Sequence, residues 1–172
     1  MEVKTLNKEL RKRAVDNGLC QQWQNEWLCD WDLKKMVAQF YRGIDFFLQK
    51  RFISNEFIKE NFEKQFLREN GIIVDDKYSL LNPEYAIFLG NSSSTIRYNG
   101  RNVSTIYITD NSSVKILAKT RSVTIVHLLG SAFCETEQDD TATIVVIVHS
   151  EKARIAVSKN TKVRYELDYL KV

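Results

Sequence analysis

Apolar positions change their spacing near the middle of the chain. Up to about Pro83 they recur every three or four residues, and after it they alternate with polar positions. The first spacing is typical of amphipathic helices, and the second of strands with one buried face. Pro83, the only proline of the sequence, marks the boundary. The sequence therefore predicts an α+β fold, with a helical head over residues 1–83 and a repetitive β tail over residues 84–172.

The head is predicted to contain three helical stretches. The first spans Val3–Asp16, the second Leu19–Lys50 and the third Asn55–Glu69. Aspartates on both sides of Trp31 are candidate caps, so a break there would divide the second stretch into two helices. A short strand, Ile72–Val74, is expected to follow the last helix. The residues expected to cap or end the helices are Asn17, Gly18, Asp30, Asp32, Ser54, Asn70 and Gly71.

The tail repeats a short strand and a polar turn eight times. The central residues of successive segments lie 8 to 11 positions apart. Alternate residues of each segment are expected to point into the stack. The inward sets predicted in this way are Ser94, Ile96 and Tyr98; Ser104, Ile106 and Ile108; Val114, Ile116 and Ala118; Val123, Ile125 and His127; Ala132, Cys134 and Thr136; Ala142, Ile144 and Val146; Ala153, Ile155 and Val157; and Thr161, Val163 and Tyr165.

Self-similarity at a nearly constant period is the signature of a repeat fold. Two units of strand and turn make a coil of about nineteen residues, which suits a β-solenoid with two main sheets. Small and β-branched inward residues also suit a narrow stack. An antiparallel β-sandwich is the alternative, since it too places a turn about every 8–12 residues.

In a solenoid, alternate segments of the tail fall on opposite faces. A mostly charged face is predicted for Arg97, Lys115, Lys119, Glu135, Glu137 and Arg154. A mostly apolar face is predicted for Tyr107, Thr124, Val126, Thr143, Val145 and Ile147. Monomeric proteins rarely leave a large apolar patch open, so either the helical head or a partner is expected to cover the second face.

The net charge of +3 over 172 residues is spread thinly. The head has 14 basic and 13 acidic residues, and the tail has 11 and 9. Neither part is a basic domain of the kind that binds nucleic acid, so direct nucleic-acid binding is not expected. The one basic run of the first helix, expected to be a solvated helix face, comprises Lys8, Arg11, Lys12 and Arg13.

The N-terminal residues and the cysteines bear on the compartment. The first eighteen residues are charged throughout and lack the apolar region of a secretory signal. No stretch approaches the length of about 18 apolar residues that a membrane helix needs. Cys20, Cys29 and Cys134 are scattered and are expected to be free thiols in a reducing compartment. We therefore expect a cytoplasmic protein that does not bind membranes.

Candidate catalytic groups are few. His127 and His149 lie in apolar strand runs and are expected to be structural, although neighbouring coils would bring them close together. Cys134 with His127 is a conceivable nucleophile pair without a supporting motif. The acidic segment Glu135–Asp140 is expected to be a solvated turn. Because no phosphate loop, nucleophile elbow or zinc-binding helix motif is present, the sequence predicts a non-enzymatic protein without cofactor or metal.

Several segments resemble a family of small proteins from Bacteroidetes genomes and their mobile elements. The segments that carry the resemblance are Leu19–Trp27, Ser54–Phe62, Asn70–Asp76, Leu81–Pro83, Tyr98–Gly100, Asp110–Ile116 and Arg121–Leu128. Small mobile-element proteins without enzymatic motifs are often inhibitors of host defence. Some anti-CRISPR proteins of this size act on the RNA-guided, RNA-cleaving type VI-B effectors of the same bacteria. The resemblance thus implies a protein that binds a CRISPR effector nucleoprotein, and it assigns no residue a role.

The leading hypothesis is a non-enzymatic protein-binding module that occludes or locks a larger partner. The candidate contact residues are Tyr107, Val126, Val145 and Ile147 for an apolar interface, and Lys115, Lys119 and Arg121 for an acidic or RNA-bound partner. One alternative is a self-assembling structural protein whose apolar face forms a homodimer. Others are an RNA-binding module that uses the first helix, and a hydrolase or lyase that uses Glu135–Asp140 with a histidine.

Overall fold

The computed structural model of the protein describes residues 2–28 and 30–169. The chain forms two compact units, Met1–Glu63 and Lys64–Val172. The second unit begins before Pro83, where the sequence placed the boundary. The reason is that two short strands preceding Pro83, Ile72–Val74 and Leu80–Leu81, pair with strands of the β tail. The boundary is therefore set by strand pairing rather than by the proline.

Six helices lie in the described part of the chain. They are α1 (Val3–Asp16), α2 (Gln21–Glu26), α3 (Leu33–Arg42), α4 (Ile44–Lys50), α5 (Asn55–Asn61) and α6 (Lys64–Glu69). The bounds of α1 agree with the prediction. Two predicted caps are also confirmed, because Asp32 and Ser54 each accept a hydrogen bond from the backbone N–H three residues on. The second predicted stretch forms three helices, and the third is interrupted after Asn61.

The first unit has a small core with one satisfied polar residue. Leu6, Leu10 and Ala14 form the buried face of α1. Asn7 lies on the same face with no exposed surface. Its Nδ2 donates to the carbonyl of Leu28 at 2.9 Å, and its Oδ1 accepts from the Trp27 indole at 2.6 Å. A buried amide is tolerated here because its donor and its acceptor are both used.

Eleven strands are present in the described residues, all in the second unit. They are β1 (Ile72–Val74), β2 (Leu80–Leu81), β3 (Tyr85–Leu89), β4 (Ser93–Tyr98), β5 (Val103–Ile108), β6 (Ser113–Ala118), β7 (Val123–Leu128), β8 (Phe133–Gln138), β9 (Thr143–Val148), β10 (Arg154–Val157) and β11 (Lys162–Tyr165). Sheet A has the order β1-β3-β5-β7-β9-β11, and sheet B has the order β10-β8-β6-β4-β2. Successive strands therefore alternate between the two sheets.

All pairings within the two sheets are parallel. Val103 pairs with Val123, and Val123 pairs with Thr143, so one coil is 20 residues long. The tail is a β-solenoid of roughly four coils, as the sequence predicted. The parallel pairings exclude the alternative of an antiparallel sandwich, in which short hairpins would join neighbouring strands of one sheet.

The solenoid interior is a stack of aliphatic layers. Ile106, Val126 and Val146 occupy paired positions on three strands of sheet A and have no exposed surface. Ile96 and Ile116 occupy equivalent positions in sheet B and are also fully buried. Each inward side chain thus lies above its counterpart from the preceding coil, which buries the core continuously.

The predicted inward set of β7 is wrong. Thr124, Val126 and Leu128 point inward and have no exposed surface, whereas Val123 is 38% exposed. The run from Val123 to Leu128 has apolar residues at both odd and even positions, so alternation did not identify its buried face. Pairing with β5 decides the face, because the buried Ser104 hydroxyl donates to the Thr124 hydroxyl at 3.2 Å.

Strand β3 was not predicted as part of the repeat. Ala86, Ile87, Phe88 and Leu89 are all fully buried, so both faces of the strand are apolar. A strand that is buried on both faces reads as a continuous hydrophobic run and lacks the alternation used to find the others. Together with β1 and β2, β3 places three strands of the two sheets before the first predicted segment of the repeat, which is β4.

One corner of the coils depends on a glycine. Gly130 adopts a left-handed backbone conformation with φ of +63°. A Cβ atom at this position would lie 3.0 Å from the backbone nitrogen of Asp110 on the preceding coil. Glycine is therefore needed at this corner for two reasons. The coils stack too closely there for a side chain, and the backbone adopts a conformation that residues with a side chain disfavour.

Candidate interaction surfaces

An aromatic cluster lies on the outer face of sheet A, formed by Tyr107, His127, His149 and Tyr169. Tyr107 and His127 occupy paired positions on β5 and β7, with ring centroids 4.8 Å apart and planes inclined by 13°. Tyr169 stacks on His149 with centroids 4.1 Å apart. The cluster therefore holds the segment after β11 against the outer face of the sheet.

The two histidines of the cluster share a hydrogen bond. His127 Nδ1 lies 2.9 Å from His149 Nε2, and the ring centroids are 5.2 Å apart with planes inclined by 10°. The centroid distance exceeds the N···N distance by the sum of the two ring radii, so the rings lie side by side in nearly one plane. His149 Nδ1 also lies 2.9 Å from the carbonyl oxygen of Glu166.

The carbonyl of Glu166 sets the tautomer of a neutral His149. A carbonyl oxygen can only accept, so His149 Nδ1 carries the hydrogen. Neutral His149 then has an unprotonated Nε2, which accepts from Nδ1–H of His127. The proximity of the histidines, expected from neighbouring coils, is confirmed. In this arrangement they link β7, β9 and the segment after β11, which is a structural role.

The four apolar residues predicted for an interface lie in different environments. Val126 points into the core and has no exposed surface, so its prediction as a surface residue is wrong. Tyr107 faces outward but is only 8% exposed. Val145 and Ile147 are half-buried on the outer face of sheet A, where Ile125 pairs with Val145 and takes the place predicted for Val126.

Two exposed valines of sheet A lie at the start of their strands. Val103 is 70% exposed and Val123 is 38% exposed. They are directly paired on β5 and β7, and Thr143 follows on β9. Two exposed valines side by side form a small apolar step at this edge of the solenoid.

Lys115 lies on the outer face of sheet B and is neutralised by its neighbours. Its ammonium is 2.8 Å from a carboxylate oxygen of Glu135 and 3.4 Å from one of Glu137. The hydrogen bond to Glu135 is the main cause that raises the pKa of Lys115 above its usual value. Because Glu135 occupies the paired position on the next coil, Lys115 already has an anionic partner within the protein.

Lys119 and Arg121 lie together with two further cations in what we call the basic corner, defined as Arg97, Arg101, Lys119 and Arg121. All four residues are exposed. Within residues 2–28 and 30–169, none of them forms an ion pair. The corner therefore concentrates four cations without an ion pair among the described residues, and a carboxylate on the next coil, Asp139, accepts from the Thr120 amide at 3.2 Å.

Hydrogen bonds between adjacent coils keep the two turns of this corner in register. The Lys119 amide donates to the Tyr98 carbonyl at 3.0 Å, and the Val123 amide donates to the Asn102 carbonyl at 2.8 Å. Arg101 and Arg121 consequently occupy equivalent positions on neighbouring coils, with backbones about 4.8 Å apart. Sequence reasoning missed Arg101, although its spacing of one 20-residue coil from Arg121 was the available signal.

The acidic segment from Glu135 to Asp140 does not form a catalytic site with a histidine. Asp139 accepts hydrogen bonds from the backbone amides of Thr141 and Ala142 at 2.9 and 3.0 Å, and its pKa is lowered chiefly by hydrogen bonds from Thr141. Glu135 lies on the outer face of sheet B, whereas His127 lies on the outer face of sheet A. Glu135 and Glu137 lie on β8 and only Asp139 and Asp140 lie in the turn that was predicted, and the hypothesis that joined the segment to a histidine is wrong.

The conceivable pair of Cys134 and His127 is not assembled either. Cys134 points into the core from β8 of sheet B, while His127 points outward from β7 of sheet A. Burial raises the pKa of the Cys134 thiol to about 12, which suppresses the reactive thiolate. No group of three or more His, Cys, Asp or Glu side chains in the described part of the chain has a metal-binding arrangement.

Comparison with known proteins adds no relative to this description. No protein-family model, no curated protein and no solved structure matches the chain. The helices of the described residues are too short or too polar to cross a bilayer. Function must therefore be inferred from the surfaces themselves.

Proposed function

We propose that this protein is a non-enzymatic binding module that docks an acidic protein surface on its basic corner. The observation that carries the proposal is the set of four exposed cations without ion pairs on two adjacent coils. Elsewhere on the solenoid, in contrast, Lys115 has two carboxylate neighbours. Cations left unpaired beside each other repel, and an acidic partner removes that repulsion.

The backbone of the corner supports the arginines rigidly. Arg121 adopts a left-handed conformation with φ of 55°, which is unfavourable for a residue with a side chain. Its amide donates to the Thr141 hydroxyl of the next coil at 3.1 Å, so the following coil fixes the turn. A rigid surface reduces the entropy that association costs, and solenoids provide such surfaces.

A protein partner accounts for this corner better than RNA does. The exposed Val103 and Val123 lie beside the cations and offer apolar contact. Tyr98 is the aromatic residue closest in sequence to Arg97 and Arg101, and it is 99% buried, so it offers no base-stacking surface. Four cations in a chain of net charge +3 also make a small electrostatic footprint for a nucleic acid.

The specific form of the proposal is an inhibitor of bacterial defence that binds an RNA-guided effector. It is supported by the resemblance to small Bacteroidetes mobile-element proteins. Binding at the basic corner would inhibit by occluding a surface of the effector or by locking one of its conformations. This mechanism requires no catalytic group of the chain.

The test is direct binding to a purified type VI-B effector loaded with guide RNA, measured by biolayer interferometry. The variant R101E/R121E should weaken binding by about tenfold or more, since the charge pairs that it removes should together contribute at least about 1.4 kcal/mol. Its matched control is K4E/K8E, which makes the same charge change at exposed positions of α1. Circular dichroism checks that both variants remain folded.

Each other outcome has a defined meaning. Equal binding by the wild type and R101E/R121E would remove the basic corner from the interaction. Wild-type binding to naked guide RNA as tight as to the loaded effector, with a steep dependence on salt, would favour the RNA-binding alternative. Absence of binding to the effector would remove the specific form of the proposal.

A further inference from the structure

The last coil of the solenoid has an unpaired edge in both sheets. β11 pairs only with β9, and β10 pairs only with β8, within residues 2–28 and 30–169. Backbone N–H and C=O groups on the far side of these two strands therefore have no strand partner. An edge of this kind is a template for adding another strand.

The core layer of this coil is also uncovered. In the preceding coil, the inward Ile144 and Val146 have no exposed surface and Val148 is 3% exposed. In the last coil, Val157 and Tyr165 occupy inward positions, paired with Thr136 and Val148, yet they are 37% and 68% exposed. The solenoid thus presents an apolar layer that one further strand would bury.

Five cations surround this apolar layer. They are Lys152, Arg154, Lys159, Lys162 and Arg164. None of them forms an ion pair with another described residue. On β11, Lys162 and Arg164 alternate with the inward residues, because these two cations pair with the outward Val145 and Ile147 of β9. The edge therefore combines inward apolar positions with outward positive charge at alternate positions.

We propose that this edge binds an extended acidic segment of a partner protein by strand addition. Alternate apolar residues of the segment cover Val163 and Tyr165, and the intervening acidic residues lie beside Lys162 and Arg164. Main-chain hydrogen bonds to β11 supply affinity, and the alternating side chains supply specificity. The proposal goes beyond the basic corner, since a different set of residues carries it.

A second copy of the chain is the less suitable occupant. Edge-to-edge pairing of two copies would bring two edges of net positive charge together, because the five cations of each edge outnumber its acidic residues Glu151, Glu166 and Asp168. Proteins place lysine and other charges on edge strands because like charges oppose this pairing. The same charges attract an acidic strand, so charge complementarity selects the heterologous partner.

The test uses the full-length protein and two synthetic peptides. In one peptide valine alternates with glutamate, and in the matched peptide valine alternates with lysine. We expect the acidic peptide to bind, in a fluorescence anisotropy titration, at least tenfold more tightly than the basic one. The variant K162E/R164E should reverse this order. R101E/R121E should leave it unchanged, so failure here is distinguishable from failure of the basic corner.

Strand addition makes a prediction that electrostatic attraction alone does not. An acidic peptide that is N-methylated at every residue cannot donate main-chain hydrogen bonds to β11 in either strand direction and should bind at least tenfold more weakly. Methyl resonances of Ile155 and Val163 should shift only with the unmethylated peptide. Equal binding of methylated and unmethylated peptides would overturn the proposal. So would binding of neither peptide, or a dimer of the wild-type protein that the acidic peptide does not dissociate.

Discussion

Truncation of Val126 and of Val123 to alanine tests the register of the solenoid. The two residues lie three positions apart on β7, and they point to opposite faces. Val126 has no exposed surface, whereas Val123 is 38% exposed. The two substitutions remove the same atoms from the same strand, so each is the control of the other.

The expected difference follows from burial. Val→Ala removes two methyl groups, which contribute about 0.8 kcal/mol each when fully buried. At Val126 the cavity left behind brings the total loss of unfolding free energy to about 2–3 kcal/mol. At Val123 only part of the side chain is buried and solvent fills the space, so the loss should be about 1 kcal/mol or less. The expected difference is therefore at least about 1–2 kcal/mol.

Urea denaturation followed by far-ultraviolet circular dichroism measures this difference. With an unchanged m value, the shift of the midpoint gives the change in unfolding free energy. The two compact units are best separated by following the tryptophans as a second probe, because Trp23, Trp27 and Trp31 all lie in the first unit. Equal losses, or a larger loss at Val123, would refute the assignment of Thr124, Val126 and Leu128 to the core.

Three further predictions concern single sites. Burial raises the pKa of Asp76, but hydrogen bonds from its basic neighbours outweigh it and lower the pKa to about 2. Asp76→Asn should thus cost about 1–2 kcal/mol at neutral pH, allowing for solvent screening, and in urea titrations this cost should vanish as pH falls from about 4 to about 2. Gly130→Ala should lower the melting temperature in calorimetry, because its Cβ would lie 3.0 Å from Asp110 backbone; an unchanged value would contradict the tight corner. Cys20→Ser should reduce the rapidly reacting thiols by one per chain in a disulfide-exchange assay, whereas Cys134→Ser should not.

The candidate surfaces could be predicted only in part. Lys119 was predicted on the charged face of the solenoid and Arg121 as a contact for an acidic partner, and both residues are exposed. Arg101 was missed because its proximity to Arg121 arises from stacking of coils, not from nearness in sequence. Lys115 could not be distinguished from them, since only the register with β8 brings Glu135 against it.

The sequence by itself determined that the first part of the chain is helical and that the repeat extends from β4 to β11. α1 and the caps Asp32 and Ser54 follow from local periodicity and from side chains that bond to nearby amides. The two-sheet solenoid follows from polar turns at a nearly constant period. These features depend on interactions between residues close in the chain, so the local pattern contains the information.

Tertiary structure alone decided which face of β7 is buried and where the second unit begins. Val123–Leu128 has apolar residues at both odd and even positions, so the hydrogen-bonded register with β5 selects the inward set. Ile72–Val74 joins the solenoid because β3 pairs with it. The exposed layer at Val157 and Tyr165 likewise results from the absence of a further coil among the described residues. In each case the deciding contact joins strands about one coil apart, and a local hydrophobic pattern does not specify that partner.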